Sequence, residues 1–273
     1  MANNDDDQLL IERLRSRMET EFEEHPEEYH ATDIKRVRNE EWQLQRFILE
    51  YDHNETKAFD AICEALKWKQ INMVHERTEK YFPKEMWVSG AIEFCGRDFD
   101  GRAVMWEMIR NAIYFPEMRE LTKQFIAFCL EKVDRLGGES GYIIITDARG
   151  AQIFNLDMDI SRFIMTAIRH YPLGFHKHYL VDQPFLMSSL VRIVLCFASE
   201  RDRQLFVNIS SEQLADVIDV KYIPTRLKGR RTKQVLASGL KPMEELAADL
   251  GYDEDFVQRF NDSNQGHENV YLT

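Results

Sequence analysis

The ten residues "GYIIITDARG", Gly141 to Gly150, constrain the fold of this chain more than any others. Tyr142 to Ile145 are apolar without a break and three of the four are β-branched, which suits a strand covered on both faces. Such a strand belongs inside a parallel sheet, and parallel neighbours need crossover segments, usually helices. The flanking sequence supplies them. Upstream, a helix begins at about Glu117, carries Leu121, Phe125, Phe128, Cys129 and Val133, and ends at Gly137-Gly138. Downstream, a helix over about 157–170, with Ile160, Phe163, Ile164, Ala167 and Ile168 at helical spacing, stops at Pro172. A strand "HYLVD" follows, and the apolar run after Pro184 provides another helix. The alternation predicts an α/β fold with a mostly parallel sheet and flanking helices.

Before this region the pattern is different. Residues 8–24 read as a charged helix, and Thr32 is a plausible cap for a second helix holding Ile34, Val37, Leu44, Phe47 and Ile48 on one face. The pattern restarts at Asp52, which with Glu55 resembles a capping box ahead of Phe59, Ile62, Leu66 and Trp68. After Pro83, "SGAIEFCGRDFDGRAVMWEMIR" reads as a hairpin turning at "RDFDG". From "LKGRRTKQ" onward the apolar pattern thins, leaving a short helical signal in "PMEELAADLGYDEDFVQRF" and a solvated tail. These changes divide the chain into a helical region (1–85), an α/β region (86–230) and a C-terminal tail with a short helix (231–273).

The most apolar run, Phe185 to Ala198, is too short for a membrane span, which needs about 20 apolar residues. It is also broken by Arg192 and followed by "SERDR". A net charge of −12 argues against a nucleic-acid binder, because phosphate contacts need excess Lys and Arg. No secretory or transit signal is visible in "MANNDDDQ", so a cytoplasmic setting is expected. Cys63, Cys95, Cys129 and Cys196 are far apart and lie among apolar neighbours, so they read as packed free thiols.

Signals of chemistry are weak. "DARG" matches the D-x-x-G of nucleotide hydrolases, yet no glycine-rich phosphate loop accompanies it, and Asp147 reads better as a strand-end residue bonded to its own turn. His170, His176, His178 and Asp182 are the only cluster with ligand chemistry, but their spacing matches no standard zinc pattern, so no metal is expected. No G-x-S-x-G elbow is present and no Ser or Cys lies in an activating context. The basic run Arg226, Lys228, Arg230, Arg231 and Lys233 reads either as a solvated segment or as a contact for anionic headgroups.

From Thr32 to Gly229 the residues resemble the CRAL-TRIO, or Sec14-like, family. The helical lead-in places Arg46-Phe47-Ile48, Ala58 and Trp68-Lys69 as that family does. "GYIIITDARGAQIFNLDMD" is similar to its strand and bend, "RHYPLGFHKHYLVDQPFLMSSLVRIVLCF" to its Tyr-Pro, strand and gate-helix segment, and "YIPTRLKG" to its close. Within the family, "LDMDISRFIM" and "LVDQPFLMSSLVRIV" look most similar to the CRAL-TRIO domain of the motile-sperm-domain membrane-tethering proteins. The resemblance implies a sheet floor and helical walls around an apolar cavity that holds a lipid or other hydrophobic small molecule, with a movable helix as its door.

Charges expected of phosphatidylinositol-transferring members are missing. Leu173 stands where they carry a Glu, Leu205 where they carry a Lys, and Tyr51-Asp52 where they carry a basic pair. The closing glycine pair is reduced to Gly229-Arg230.

The expectation is a non-enzymatic, cofactor-free protein that carries a hydrophobic ligand and meets membranes transiently. Ile144, Phe163, Ala167, Val181, Phe185, Leu186, Leu190 and Val194 are expected to line the cavity and its gate. The alternative is an interaction scaffold that kept the fold and filled the pocket with bulky side chains such as Phe163, Phe185 and Phe197.

Overall fold

The computed structural model describes residues 4–112, 114–152, 155, 157–184, 188, 191–193, 195–196, 200–232 and 236–264. Its centre is one sheet of five strands in chain order: β1 (Ile92–Arg97), β2 (Ala103–Met108), β3 (Tyr142–Asp147), β4 (Phe175–Val181) and β5 (Phe206–Ile209). β1 and β2 form the hairpin expected around "RDFDG", and the other neighbours pair in parallel. Every residue of β3 is buried. The continuous apolar run thus occupies the position where cover on both faces is available.

The two faces of the sheet carry separate cores. Ala103, Met105, Tyr142 and Ile144 pack with α6 (Arg119–Gly137) and α7 (Met158–Ala167). Val104, Trp106, Ile143, Ile145 and Val181 point the other way, against Leu214, Ile218, Ile223 and Leu227 of the segment after β5. The C-cap of α6, Gly138, has φ 56°, a left-handed turn that L side chains rarely adopt, which explains the glycine pair there. α7 starts at Asp157, whose carboxylate accepts from the amides of Asp159 (2.8 Å) and Ile160 (3.1 Å).

The N-terminal third is helical: α1 (Asn4–Glu24), α2 (Ala31–Asn39), α3 (Trp42–Glu50) and α4 (Glu55–Ile71), closed around Leu14, Met18, Leu44, Ile48 and Ile62. Two details differ from the sequence reading. The second helix is divided at Glu40, which is extended, and His30 rather than Thr32 caps α2. The cap of α4 is Asn54, accepting from the Lys57 amide at 3.0 Å, while Asp52 and His53 form a left-handed turn before it.

The short helical signal expected in the C-terminal segment is two helices, and the final residues, 265–273, lie outside the described ones. After α5 (Lys84–Val88) in chain order, α8 (Met243–Leu250) and α9 (Glu254–Asn264) bury Met243, Phe256 and Phe260 in the core beside α6. Gly251, at φ 78°, separates the two helices. Phe256 and Phe260 are one helical turn apart, and both pack on Phe115 with ring centroids 5.6 and 5.7 Å away.

Candidate apolar cavity

Between the α6 and α7 layer and the sheet lies a cavity of about 210 Å³. Its floor is one face of three strands: Met105 and Glu107 of β2, Ile144 and Thr146 of β3, His178 and Leu180 of β4. Phe125, Ile126, Cys129 and Leu130 of α6 form one wall, and Ile164, Met165 and Ile168 another. Phe260 of α9 closes one end, and Val191 and Leu195 border the space from the segment after Pro184.

Polar side chains also line it, Glu85, Thr122, Asn155 and Ser161 among them, and three on the floor are linked to one another. Thr146 Oγ1 lies 2.7 Å from Glu107 Oε2 and 2.6 Å from His178 Nε2, making one hydrogen-bonded chain across three strands. Thr146 is fully buried, whereas the Glu107 and His178 side chains keep 22% and 13% of their surface accessible, beside the cavity they line. Burial raises the Glu107 carboxyl above its ordinary value and pushes the His178 imidazole down to about 3. Histidine 178 is therefore neutral near pH 7.

The residues expected to line the cavity separate. Ile144 is on the floor. Val181 is not. It is fully buried in the core on the opposite face, because side chains alternate along a strand and Leu180 takes the cavity side. Phe163 and Ala167 of α7 belong to the same core as the cavity walls but do not line the space; Phe163 packs against Trp68 at 6.0 Å, and Ile164, Met165 and Ile168 face inward instead. Phe185, Leu186, Leu190 and Val194 lie outside the described residues, as does Phe197.

The basic run needs a correction. Arg226 Nε is 3.1 Å from Asp147 Oδ2, with only 9% of the side chain accessible, and Arg231 pairs with buried Glu93 and donates to the Tyr222 carbonyl at 2.8 Å. Both are internal ties and neither can reach a headgroup from this position. Lys228 and Arg230 are exposed, Lys228 against Glu212, and Lys233 lies outside the described residues.

Asp147 is what the sequence suggested, a strand-end carboxylate bonded to its turn. It accepts from the Arg149 amide at 3.2 Å and from the Arg149 guanidinium at 2.9 Å. Burial works against its charge, yet Arg149 and Arg226 outweigh that and hold its pKa below the usual range.

The histidine cluster does not converge. His170 stacks on Trp68 at 4.7 Å, His178 faces the cavity, and Asp182 accepts from the Ser211 amide at 3.1 Å. Among the described residues, the only group with ligand-like convergence is the exposed His25, Glu27 and Glu28. No described helix is long and apolar enough to cross a membrane.

Sequence reasoning missed Glu107, Thr146, Leu180 and Phe260 as cavity residues. A signal existed for two of them: Glu107 and Thr146 are polar positions inside strands that are otherwise mostly apolar.

A sheet floor, helical walls and a largely apolar space between them define a class, the α/β proteins that hold a hydrophobic small molecule. The model of the CRAL/TRIO domain matches residues 88–229, more than half of the chain, and the protein belongs to that family. The fold is also that of a solved relative, "Crystal structure of Sfh5", with TM-score 0.62 and 13% identity, covering 94% of this chain and 99% of that one. Family membership carries the general function of binding a lipid or other hydrophobic molecule.

Proposed function

We propose that this protein takes up one hydrophobic molecule in the cavity over β2, β3 and β4 and releases it at membranes, with the segment after Pro184 as the cover. The observation that carries this reading is the largely apolar space itself, about 210 Å³, bordered by Val191 and Leu195. Each CH₂ moved from water into such a space gains about 0.8 kcal/mol. A bilayer offers an equally apolar refuge, so exchange at a membrane costs little. Contact with anionic lipid would fall to Lys228 and Arg230, the exposed members of the basic run among the described residues, and would weaken as salt screens it.

Native mass spectrometry of protein purified from cells tests the reading. A co-purifying lipid is expected, and Ile144→Trp, which fills the floor, should remove it while the fold persists. A wild-type protein that carries nothing and takes up nothing from vesicles would favour the filled-scaffold alternative.

A further inference from the structure

We infer that Glu107, Thr146 and His178 form a ligand-selecting anchor that takes the hydroxyl of a neutral lipid alcohol and rejects charged lipids of similar length. The inference deepens the proposed function and rests on it, since the anchor is on the floor of the same cavity.

Position comes first. Glu107 pairs with Thr146 across β2 and β3, and His178 pairs with Ile144 across β3 and β4, so the three polar groups share one face at the middle of the floor. Only the Thr146 hydroxyl is sealed. The Glu107 carboxyl and the His178 ring border the open space, and Glu107 Oε1 and His178 Nδ1 have no hydrogen-bond partner among the described residues. Polar atoms facing an apolar space are costly unless something satisfies them.

Proton positions decide what they can satisfy. When Glu107 is ionised, His178 Nε2–H donates to Thr146 Oγ1, and the threonine hydroxyl donates to Glu107 Oε2. His178 Nδ1 is then an acceptor. When Glu107 is protonated the chain reverses, the carboxyl donates to the threonine, the threonine donates to His178 Nε2, and Nδ1–H becomes a donor. A hydroxyl, which both donates and accepts, fits either arrangement. A hydrocarbon fits neither.

Charge excludes the competitors. No lysine or arginine is among the described residues that line the cavity. A carboxylate or phosphate would therefore enter without a counter-charge and beside a carboxyl group. Burial keeps His178 uncharged near neutral pH and favours the protonated form of Glu107, so neither offers a strong full charge to an ion.

The test uses the full chain, Nile red as an apolar fluorescent occupant, and displacement by 1-decanol, decane, decanoate and decylamine at pH 7. 1-Decanol should displace the dye at least about tenfold more effectively than the other three. Thr146→Val, close in shape and lacking the hydroxyl, should lose most of that preference, read as the ratio of 1-decanol to decane displacement within the variant. Glu107→Gln, which keeps hydrogen-bonding capacity, should retain more of it than Thr146→Val. If Nile red binds and 1-decanol competes no better than decane, the anchor is refuted while the cavity reading stands. Preference for decanoate or decylamine overturns it as well. If Nile red does not bind at all, the cavity reading fails and the anchor fails with it. Should Thr146→Val not fold, the wild-type ranking alone decides.

Discussion

Arg46 shows how a single side chain can hold three parts of the chain together. From α3 its guanidinium meets both oxygens of Asp134 on α6 at 2.8 Å, and Nε donates to the Pro172 carbonyl at 2.6 Å. Both side chains are almost inaccessible, at 3% and 6%. Burial opposes the arginine charge, but Asp134 more than compensates and raises its pKa. Removing one partner of such a pair leaves a buried, uncompensated charge. Arg46→Ala should therefore lose about 3–5 kcal/mol in urea unfolding, and Arg46→Met with Asp134→Leu considerably less. Leu180 and Val181 make the complementary case. They are adjacent, but one borders the cavity and the other fills the opposite core. Val181→Ala should lower stability by roughly 1–3 kcal/mol and leave lipid loading alone. Leu180→Trp should reduce loading, as read by native mass spectrometry.

At the level of elements, the segment from Ser211 to Arg231 closes the sheet face away from the cavity. It is held by Leu214, Ile218, Ile223 and Leu227 in the core and by the ties from Arg226 to Asp147 and Arg231 to Glu93. Gly229 lets it turn. A methyl group there would overlap the Ile223 carbonyl, which is backbone and cannot swing aside. Gly229→Ala should cost about 1–3 kcal/mol in thermal or urea unfolding, and wild-type stability here would mean that the turn can relax. The same segment marks the limit of what could be read in advance. The hairpin, β3, α6 and α7 were legible because periodicity and glycine stops are local, whereas β5 was missed altogether. The side each residue of β4 faces was not legible, since its polar residues, His176, Lys177 and His178, are consecutive and give no alternation to set its phase, and a one-residue error moves a side chain to the other core. Nor was the role of Arg231 visible, because its partner Glu93 is 138 positions away. Glu107 and Thr146 were legible singly, as polar positions in mostly apolar strands, but only the register of β2, β3 and β4 brings them together with His178.

Across the whole molecule, α6 couples the helical third to the cavity. One face of it borders the cavity through Phe125, Ile126 and Leu130, and the other presents Glu131 and Asp134 to Arg36, Lys69 and Arg46 of the N-terminal helices. The two parts share buried charges, so they should unfold in one transition, with tryptophan fluorescence and far-ultraviolet circular dichroism coinciding. Acid should weaken that single unit in two stages. Burial holds His178 at about 3 and His170 at about 4, while the unfolded residues titrate near 6.5. The unfolded chain thus binds protons first, and stability falls as pH drops below about 6.5, by up to about 1.4 kcal/mol per pH unit for each histidine. Glu107, raised by burial, has the opposite sign, because its folded form takes a proton more readily, but it is one group against three histidines, since burial also lowers His176. The second stage belongs to carboxylates. Burial opposes the Glu131 charge, yet Lys69 and Arg36 outweigh it and hold the pKa well below the usual range. Its stabilisation is present above the unfolded value of about 4.3 and is lost as pH falls through the folded one. Urea midpoints measured from pH 7 to pH 3 should decline throughout. His170→Gln should flatten the limb between pH 6.5 and 4.5, and Glu131→Gln, less stable at pH 7, should flatten the limb below about 4.5. A midpoint that stays level from pH 7 to pH 5 would mean that neither histidine is held neutral by the fold.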